Sequence, residues 1–329
     1  MTVSRVDSIV RWLLQAAATC MATGAGYAAA LEPIAPLATD QFVVIVSPSG
    51  PGSSIDTMAR TYAGIAGKYT AQKFVFENRT GAAGYIATNY VLEQPANGFT
   101  LQAFTRATTL NFLTQPHAGS PLDKYHYVGI TMFTPVIVYT YKGGPYADAR
   151  QLIAEAKARP AAQVWGGASA GGTEWLMVNL IWQKLGAKGR YAAFKDGGAL
   201  RLAVLGKHLP LGSGDMSDII GYGDTLVPLA IGAEKRQADL PDVPTFRELG
   251  YDLVEGNYRG IVARGDIPQR AKNFHDRVYD AVMSDPGWAA YLRDTKAEKF
   301  EVKGAVMEKI AKESSQRAVF FMKEAGYMK

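Results

Sequence analysis

Cysteine is nearly absent from this chain of 329 residues, since Cys20 is the only one. It lies in an N-terminal segment with the pattern of a cleaved signal, so the mature chain would have no disulfide bond and would depend on core packing. Histidine is also scarce, with four residues, and no His/Cys spacing typical of a zinc site occurs. We therefore expect neither a bound metal ion nor a cofactor.

Clustered charge and nucleotide-binding loops are missing as well. Lysine and arginine number 35 against 30 acidic residues, a formal charge of +5, but the basic residues are scattered. They form no stripe with interleaved aromatics, which argues against a nucleic-acid partner. No GxxxxGK[ST] sequence occurs, and no GxGxxG follows a predicted strand. The mild basic excess suits a small anionic ligand, and the 48% hydrophobic composition allows one large or two medium domains.

The N-terminus has the layout of a secretory signal. Arg5 and Arg11 precede a short apolar segment, residues 12–24, and small residues follow up to Ala30. The segment is too short and too often interrupted by polar residues to be a membrane span. We predict cleavage near Ala30, with residues 1–30 as the signal peptide.

Beyond this segment, apolar runs and amphipathic stretches alternate along the chain. The first pair is the β-branched run 42–46 and the amphipathic stretch 55–62. Further strands are predicted over 73–77, 99–104, 128–130, 136–141, 163–165, 190–194, 209–212, 225–231 and 258–263. Further helices are predicted over 85–93, 148–159, 174–184, 198–205, 271–285, 287–294 and 305–325. This alternation predicts an α/β fold of doubly wound sheets flanked by helices.

Two loops rich in glycine and serine each connect a predicted strand to a predicted helix. They span residues 47–56 and 166–173. The first N–H groups of a helix lack intrahelical partners and carry partial positive charge, which suits a carboxylate. In the second loop Ser169 and Thr173 offer hydroxyl groups, and Gly171 offers a backbone N–H. If the chain forms two lobes, the loops would face each other across a cleft.

The second loop also permits a different interpretation. Its sequence from Gly167 to Gly171, GASAG, matches GxSxG, the nucleophile turn of α/β-hydrolases. An esterase would need an acid and a histidine later in the chain, where only His208 and His275 occur. His208 lies in a predicted helix-to-strand turn, and His275 lies on an amphipathic helix where we expect it to be solvated. A secreted hydrolase with Ser169 as nucleophile is therefore the less favoured alternative.

Six short motifs resemble, in order, those of one protein family. They are Pro48–Asp56 with Ala59-Arg60 (family P-x-x-P-G-G-x-x-D-x-x-A-R), Glu77–Gly84 (E-N-x-x-G-A-G-G), Pro95–Leu101 (P-x-D-G-Y-T-L), Phe194–Gly198 (Y/F-K-G-G), Leu240–Phe246 with Glu248–Tyr251 (L-P-D-V-P-T-x-x-E-x-G-Y) and Tyr258–Gly260 (W-R-G). Each motif alone is weak. Together they make the mature chain resemble the substrate-binding proteins of tripartite tricarboxylate transporters, the TctC or Bug family.

The resemblance implies a periplasmic binding protein of two lobes, type II-like, each lobe a doubly wound sheet flanked by helices, with the ligand cleft between them. Lobe 1 would comprise residues 31–138 and 260–329 and lobe 2 residues 139–259, with hinges near 135–141 and 256–263. It also implies a monomer without enzymatic activity. Such a protein would capture a di- or tricarboxylate or an aromatic acid and deliver it to membrane transporter subunits.

The resemblance further implies which residues bind the ligand. In the family, main-chain N–H groups and hydroxyls of the two facing loops hold one carboxylate, and later loops select the rest of the molecule. Carried onto this chain, the binding residues are Ser49, Gly52, Ser53, Ser54, Asp56, Thr105, Arg106, Ala107, Ser169, Ala170, Gly171, Gly172, Thr173 and Asp215.

Two positions depart from the family pattern, and three leave alternatives open. Ser53 replaces the second glycine of the family motif, and Trp175 stands where many members have histidine. Trp175 would stack on an aromatic acid or pack into the core. Arg106 would form a bidentate pair with a distal carboxylate or serve a structural role, and Asp56 would contact the ligand or cap its helix. The ligand class therefore stays open among citrate-like acids, C4–C6 dicarboxylates and aromatic acids.

Overall fold

Two β-sheets, each covered by helices on both faces, make up the part of the chain that the structure describes. The structure is a computed structural model that describes residues 33–114, 119–168, 172–195 and 197–324. The predicted signal peptide, residues 1–30, lies outside the described residues, and so do Ser169, Ala170 and Gly171 of the predicted ligand site.

Strands and helices alternate along most of the chain. The strands are β1 (Phe42–Ser47), β2 (Lys73–Asn78), β3 (Thr100–Thr105), β4 (Tyr125–Pro135), β5 (Ile137–Tyr141), β6 (Val164–Ala168), β7 (Arg190–Phe194), β8 (Leu211–Gly214), β9 (Leu226–Ile231), β10 (Gly256–Arg264) and β11 (Glu298–Val302). The α-helices of the described residues are α1 (Ser54–Ala66), α2 (Tyr85–Glu93), α3 (Ala149–Ala158), α4 (Thr173–Leu185), α5 (Gly197–Leu205), α6 (Met216–Ile219), α7 (Gln269–Ser284), α8 (Pro286–Asp294) and α9 (Gly304–Glu324). Short 3-10 turns lie between them, for example Arg106–Thr109 after β3.

Each sheet combines parallel βαβ units with antiparallel strands. The first sheet has the order β11-β4-β10-β3-β1-β2, and the second has the order β7-β6-β8-β5-β9. In the first sheet β1 is parallel to β2 and β3, and β10 is antiparallel to β3 and β4. In the second sheet β6 is parallel to β7 and β8, and β5 is antiparallel to β8 and β9. The predicted α/β class with two sheets is confirmed.

Apolar residues on both faces of each sheet are buried against helices, which explains why the strands read as nearly continuous hydrophobic runs. In the first sheet, one face packs against α1, α7 and α8, and the other packs against α2 and α9. In the second sheet, α3 and α4 cover one face and α5 and α6 cover the other. Parallel strands end at one edge of a sheet, so the loops after β1 and β3 share an edge, as do those after β6 and β8.

The chain crosses between the sheets at two neighbouring places. It leaves the first sheet between Pro135 and Ile137, and it returns between Ile231 and Gly256. Backbone hydrogen bonds join the crossings: Val136 N–H donates to Glu255 O at 2.8 Å, and Glu255 N–H donates to Gly232 O at 2.9 Å. Whether the residues on either side move as separate lobes, with the boundaries given above, stays a prediction.

The sequence patterns located nearly all of these elements but missed β11 and the one-turn helix α6. This strand, Glu298–Val302, forms the edge of the first sheet and pairs only with β4 among the described strands. Its sequence EKFEV alternates charged and apolar side chains over five residues. Charged residues are common on edge strands because they discourage pairing with other chains, and they leave little hydrophobic pattern to detect.

His275 contradicts the expectation of a solvated side chain. It lies on α7 with 2% of its surface exposed, and its Nε2 lies 2.8 Å from the carbonyl oxygen of Gly98. Burial lowers the pKa of His275 to about 4. The amphipathic pattern of α7 is correct, but His275 belongs to its buried face.

No helix within the described residues combines the length and the apolar character needed to cross a membrane.

The buried imidazole of His275 predicts a pH-dependent stability. Its pKa is lower in the folded protein than the ordinary value of 6.5, so the unfolded state binds the proton more tightly. The free energy of unfolding should therefore fall as the pH drops from about 6.5 to about 4, by at most about 3 kcal/mol from this residue. Denaturant titrations at several pH values measure the slope.

The variants His275→Gln and His208→Gln separate this contribution from that of other groups. Glutamine at 275 keeps an N–H donor but cannot ionise, so its stability profile should be flatter over this pH range. His208 is exposed, and its replacement should leave the profile unchanged. Equal slopes for the wild type and His275→Gln would contradict the prediction.

Candidate functional site

The loop between β1 and α1 is held in place by the carboxylate of Asp56. Its Oδ2 accepts hydrogen bonds from Gly52 N–H at 2.9 Å and from Arg60 Nε at 2.8 Å, and its Oδ1 accepts one from Asn78 Nδ2 at 2.8 Å. Asp56 has 1% of its surface exposed. The hydrogen bond from Arg60, followed by those from Asn78 and Gly52, lowers the pKa of Asp56 to about 2 despite its burial.

These contacts favour the capping alternative for Asp56 over contact with the ligand, which stays a prediction. Its oxygens already accept bonds from the protein, and a carboxylate in the first turn would repel an anion. The capping alternative fits better, with Ser53 as the N-cap residue whose Oγ accepts from Asp56 N–H at 3.4 Å. Asp56 therefore positions the loop.

Neighbouring segments fix the same loop from the other side. Asn78 Nδ2 also donates to Ser49 O at 2.7 Å, which ties the loop to the end of β2. Gly84 has a φ of +90°, and a Cβ there would come within 2.9 Å of the Pro48 Cβ. This close contact needs glycine at position 84, because a larger residue would be strained and would push Pro48 away.

Held in this way, the loop offers donors to a small anion. The N–H groups of Ser54 and Ile55 belong to the first turn of α1, where the helix geometry provides no intrahelical acceptor. Gly52 and Ser54 are exposed, and Ser49 and Ser53 are half-buried. The predicted residues of the first loop, apart from Asp56, therefore lie together at the positive end of α1.

The second loop has a similar position, between β6 and α4. Gly172 is the N-cap residue and provides no side-chain cap. Thr173 is the first residue of α4 and has 3% of its surface exposed, yet its Oγ1 has no hydrogen-bond partner within the described residues. A buried hydroxyl left without a partner costs about 1–3 kcal/mol, so this atom is a natural contact for a ligand or a water molecule.

Arg106, after β3, does not present an open guanidinium. It has 4% of its surface exposed, and its Nη1 donates to Glu255 Oε2 at 2.6 Å and to Gly256 O at 2.9 Å. Its Nε donates to Ser314 Oγ on α9 at 3.2 Å. The structural alternative therefore fits Arg106 better than a pair with a ligand carboxylate. Thr105 and Ala107, its neighbours, are half-buried.

Trp175 also has a structural role. It is buried with Leu176 and Leu180 of α4 against Phe321 and Met322 of α9. The core alternative for this tryptophan is confirmed. Because α4 and α9 come from different sheets, this cluster joins the two parts of the molecule.

Arg259, to which the sequence analysis assigned no role, lies beside Asp215. Asp215 follows β8, and its Oδ2 lies 3.5 Å from Nη2 of Arg259 on β10 in the other sheet. Arg259 is buried and also donates from Nη1 to Thr134 Oγ1 at 3.0 Å. The position of Arg259 within the Tyr258–Gly260 motif, on a predicted strand, could have indicated its importance. A charged residue that is buried on a strand needs a partner of opposite charge.

Two further acids lie near Asp215. Asp218 on α6 accepts a hydrogen bond from Asp215 N–H at 3.0 Å, and Arg201 Nη1 lies 3.9 Å from its Oδ1. Burial, then the charge of Asp215, raises the pKa of Asp218 to about 6. Glu174, the second residue of α4, is half-buried, and desolvation, then the charges of Asp215 and Asp218, raises its pKa to about 7.

The positions of the histidines weigh against the hydrolase alternative. His275 is buried on α7 with its Nε2 at Gly98 O. His208 precedes β8, whereas Ser169 follows β6, and these two strands are parallel. His208 therefore lies at the amino end of these parallel strands, whereas Ala168, the residue before Ser169, lies at their carboxyl end. The described residues include no cluster of three or more His, Cys, Asp and Glu side chains that could hold a metal ion.

The sequence of this chain is similar to that of proteins from one family. The profile of the tripartite tricarboxylate transporter family receptor matches residues 58–327. Protein BugT of Bordetella pertussis is 27% identical over 261 residues, which cover 76% of this chain and 80% of BugT.

Solved structures show the same fold. The structure of Rpa4515 of R. palustris with adipate matches with a TM-score of 0.74 at 23% identity, covering 87% of this chain and 98% of that one. MatC from Rhodopseudomonas palustris with bound malate matches with a TM-score of 0.69 at 21% identity, covering 85% and 98%. At these identities the likeness establishes the fold alone.

Removal of the Asp56 carboxylate should release the first loop. In Asp56→Ala, the donors on Gly52, Asn78 and Arg60 lose their acceptor, so the free energy of unfolding should fall by about 1–3 kcal/mol. Denaturant titration measures the loss. Ser54→Ala, an exposed position in the same turn, is the control and should change stability by less than about 0.5 kcal/mol. A similar loss in both variants would show that Asp56 does not anchor the loop.

Proposed function

The chain belongs to the tripartite tricarboxylate transporter receptor family, and we propose that it is a periplasmic solute-binding protein that captures a carboxylated small molecule and delivers it to membrane subunits of such a transporter. The observation that carries the proposal is the first loop. Asp56 and Asn78 hold it at the N-terminus of α1. There the first-turn N–H groups of Ser54 and Ile55 have no intrahelical acceptor, and the hydroxyls of Ser49 and Ser54 lie in the same loop. Such a site binds a carboxylate without a lysine or arginine.

The proposed binding residues come from both sheets. In the first loop they are Ser49, Gly52, Ser53 and Ser54. In the second loop they are Ser169, Ala170, Gly171, Gly172 and Thr173. Thr105, Ala107 and Asp215 would line the ends of the site and select the ligand. Asp56 and Arg106 would act through the backbone that they hold, without contacting the ligand.

The ligand would be small. Rpa4515 and MatC, which share the fold, have adipate and malate bound in their structures. A carboxylate of four to six carbons is therefore the first class to test here. Tricarboxylates and aromatic acids stay in the panel because Ser53 and Trp175 depart from the family pattern described above.

Ligand capture would proceed by closure of two lobes about the crossings near Val136 and Glu255. Lobe 1 would comprise residues 31–138 and 260–329, and lobe 2 residues 139–259. A ligand that contacts both loops favours the closed form only through its greater affinity for that form. One chain contains both loops, so a monomer would suffice. Export by the predicted signal peptide, residues 1–30, would place the protein in the periplasm.

A thermal unfolding series tests the proposal directly. The purified protein is heated with mono-, di-, tri- and aromatic carboxylates, and ligand at a hundred times its Kd should stabilise the native state by about 2.7 kcal/mol and raise the Tm. A shift with one class identifies the ligand. An unchanged Tm across the panel would contradict carboxylate binding and would favour a secreted protein with another role.

Two variants in the second loop locate the site. Ser169→Ala removes a hydroxyl donor and Gly171→Asp introduces a negative charge, so each should weaken binding by about tenfold or more without unfolding the protein. Ser284→Ala and Gly223→Asp, at exposed positions, are matched controls. Titration calorimetry with unchanged affinity in both loop variants would remove these residues from the site. Esterase turnover that disappears in Ser169→Ala would instead support the hydrolase.

A further inference from the structure

The first sheet ends at a strand with an open edge. β2, Lys73–Asn78, is the last strand in the sheet order and pairs only with β1 among the described strands. An unpaired strand edge presents N–H and C=O groups that another strand can bind. Lys73 and Val75 are exposed, Val75 with 37% of its surface, so a partner can reach this edge.

The backbone groups that face this edge include those of Phe74 and Phe76. Just beyond β2, Arg79 N–H donates to Ser47 O of β1 at 2.9 Å, so the backbone of Arg79 faces β1. The N–H and C=O groups of successive strand residues point to opposite sides, so every second residue back from Arg79 also faces β1. Phe74 and Phe76 lie between those residues and direct their N–H and C=O groups away from the sheet.

The sequence of β2 is complementary to itself in one antiparallel register. A register centred on Val75 places Phe74 of one copy opposite Phe76 of the other, so these residues form hydrogen-bonded pairs through their outward-facing groups. The same register places Lys73 opposite Glu77 on both sides of the two-fold axis. Opposite charges that lie directly across a strand pair stabilise it, and the two central valines meet each other.

The neighbouring registers are less favourable. With the two-fold axis at Phe76, Lys73 would lie opposite Arg79, and like charges would meet twice. With the axis at Phe74, Lys73 would lie opposite Val75, and the pairing of opposite charges would be lost. Charge complementarity therefore selects the register centred on Val75.

A groove beside this edge has room for the aromatic rings of a partner. It has a volume of about 600 Å³ and lies between α1 and β2. Phe74 and Phe76 line its β2 side, and the small residues Ala63 and Gly64 of α1 leave it open. Both rings lie on the face that packs against the core under α1. In the register centred on Val75, each ring would lie beside a ring of the other copy, which is a favourable cross-strand pair.

The charges of β2 differ in their pairing from those of β11, the opposite edge of the same sheet. On β11, Lys299 and Glu301 pair with each other at 2.7 Å. On β2, Lys73 forms no ion pair with the described residues, and Glu77, which accepts a hydrogen bond from Arg79, keeps 35% of its side-chain surface exposed. The charges of β2 are therefore available to a partner strand.

We propose that the open edge of β2 binds β2 of a second copy of this chain, which joins the first sheets of both copies in a two-fold symmetric dimer. Because the paired strands are antiparallel, the carboxyl ends of β1 in the two copies point in opposite directions. The loops after β1 therefore lie far apart in the dimer, and both stay accessible. This inference does not depend on the proposed function, since it needs no ligand.

Sedimentation velocity of the purified protein tests the proposal. Over a concentration range of about 1–200 μM, we expect a reversible dimer with a Kd of about 1–100 μM, as is typical of a small interface. A protein that stays monomeric throughout this range would overturn the proposal.

Two charge variants test the register. Lys73→Glu and Glu77→Lys each place like charges at both cross-strand pairs, so each alone should weaken the dimer by about tenfold or more. An equimolar mixture of the two variants restores opposite charges and should form a heterodimer about as tightly as the wild type. Failure of the mixture to associate, with both variants folded as judged by their Tm, would overturn the register.

Two further variants identify the edge. Val75→Lys, at an exposed position, places two ammonium groups at the two-fold axis and should weaken the dimer by about tenfold or more, which keeps the test available if Glu77→Lys does not fold. Lys299→Glu makes the same change of charge as Lys73→Glu but on β11, and it should leave the dimer unchanged. A dimer that survives Val75→Lys, or that is lost in Lys299→Glu, would overturn the assignment to β2.

Discussion

The two sheets meet at a buried ionic network around Glu255. The backbone of Glu255 pairs with both crossing segments, through Val136 and Gly232, and its carboxylate accepts hydrogen bonds from Arg106 and Arg317. Arg106 follows β3 and Arg317 lies on α9, so one side chain connects the return crossing with two elements of the first sheet. Removing one partner from such a network leaves a buried charge without compensation, and for that reason its members depend on each other.

This network explains how a site can form from distant segments of the chain. The loop after β3 carries Arg106 into the interior, and this fixes the backbone of Thr105 and Ala107 at the edge of the sheet. The loop after β1 is fixed separately, by Asp56 and Asn78. The loops after β1 and β3 are therefore each held by charged or amide side chains whose hydrogen bonds lie within the protein.

Most strands and helices of the fold could be predicted from the sequence, because short patterns of apolar and polar residues determine them. Buried parallel strands read as apolar runs, and glycine and serine mark the loops, so both candidate loops could be located from the sequence. Contacts between residues that are far apart in the sequence could not be found in this way. The choice between a ligand contact and a structural role for Arg106 depends on Glu255, which is 149 residues away. The burial of His275 likewise involves Gly98, which is 177 residues away in the sequence.

The C-terminal helix α9 adds a constraint on any closing motion. Its first half packs on the first sheet through Met307 and Ala311, and its second half packs on α4 through Ala318, Phe321 and Met322. Besides the ion pair between Arg259 and Asp215, the two sheets are thus connected by two covalent crossings and by one helix that bridges them. If the two parts rotate about the crossings as proposed, this helix has to slide or bend across α4, and it would then limit the direction and the extent of opening.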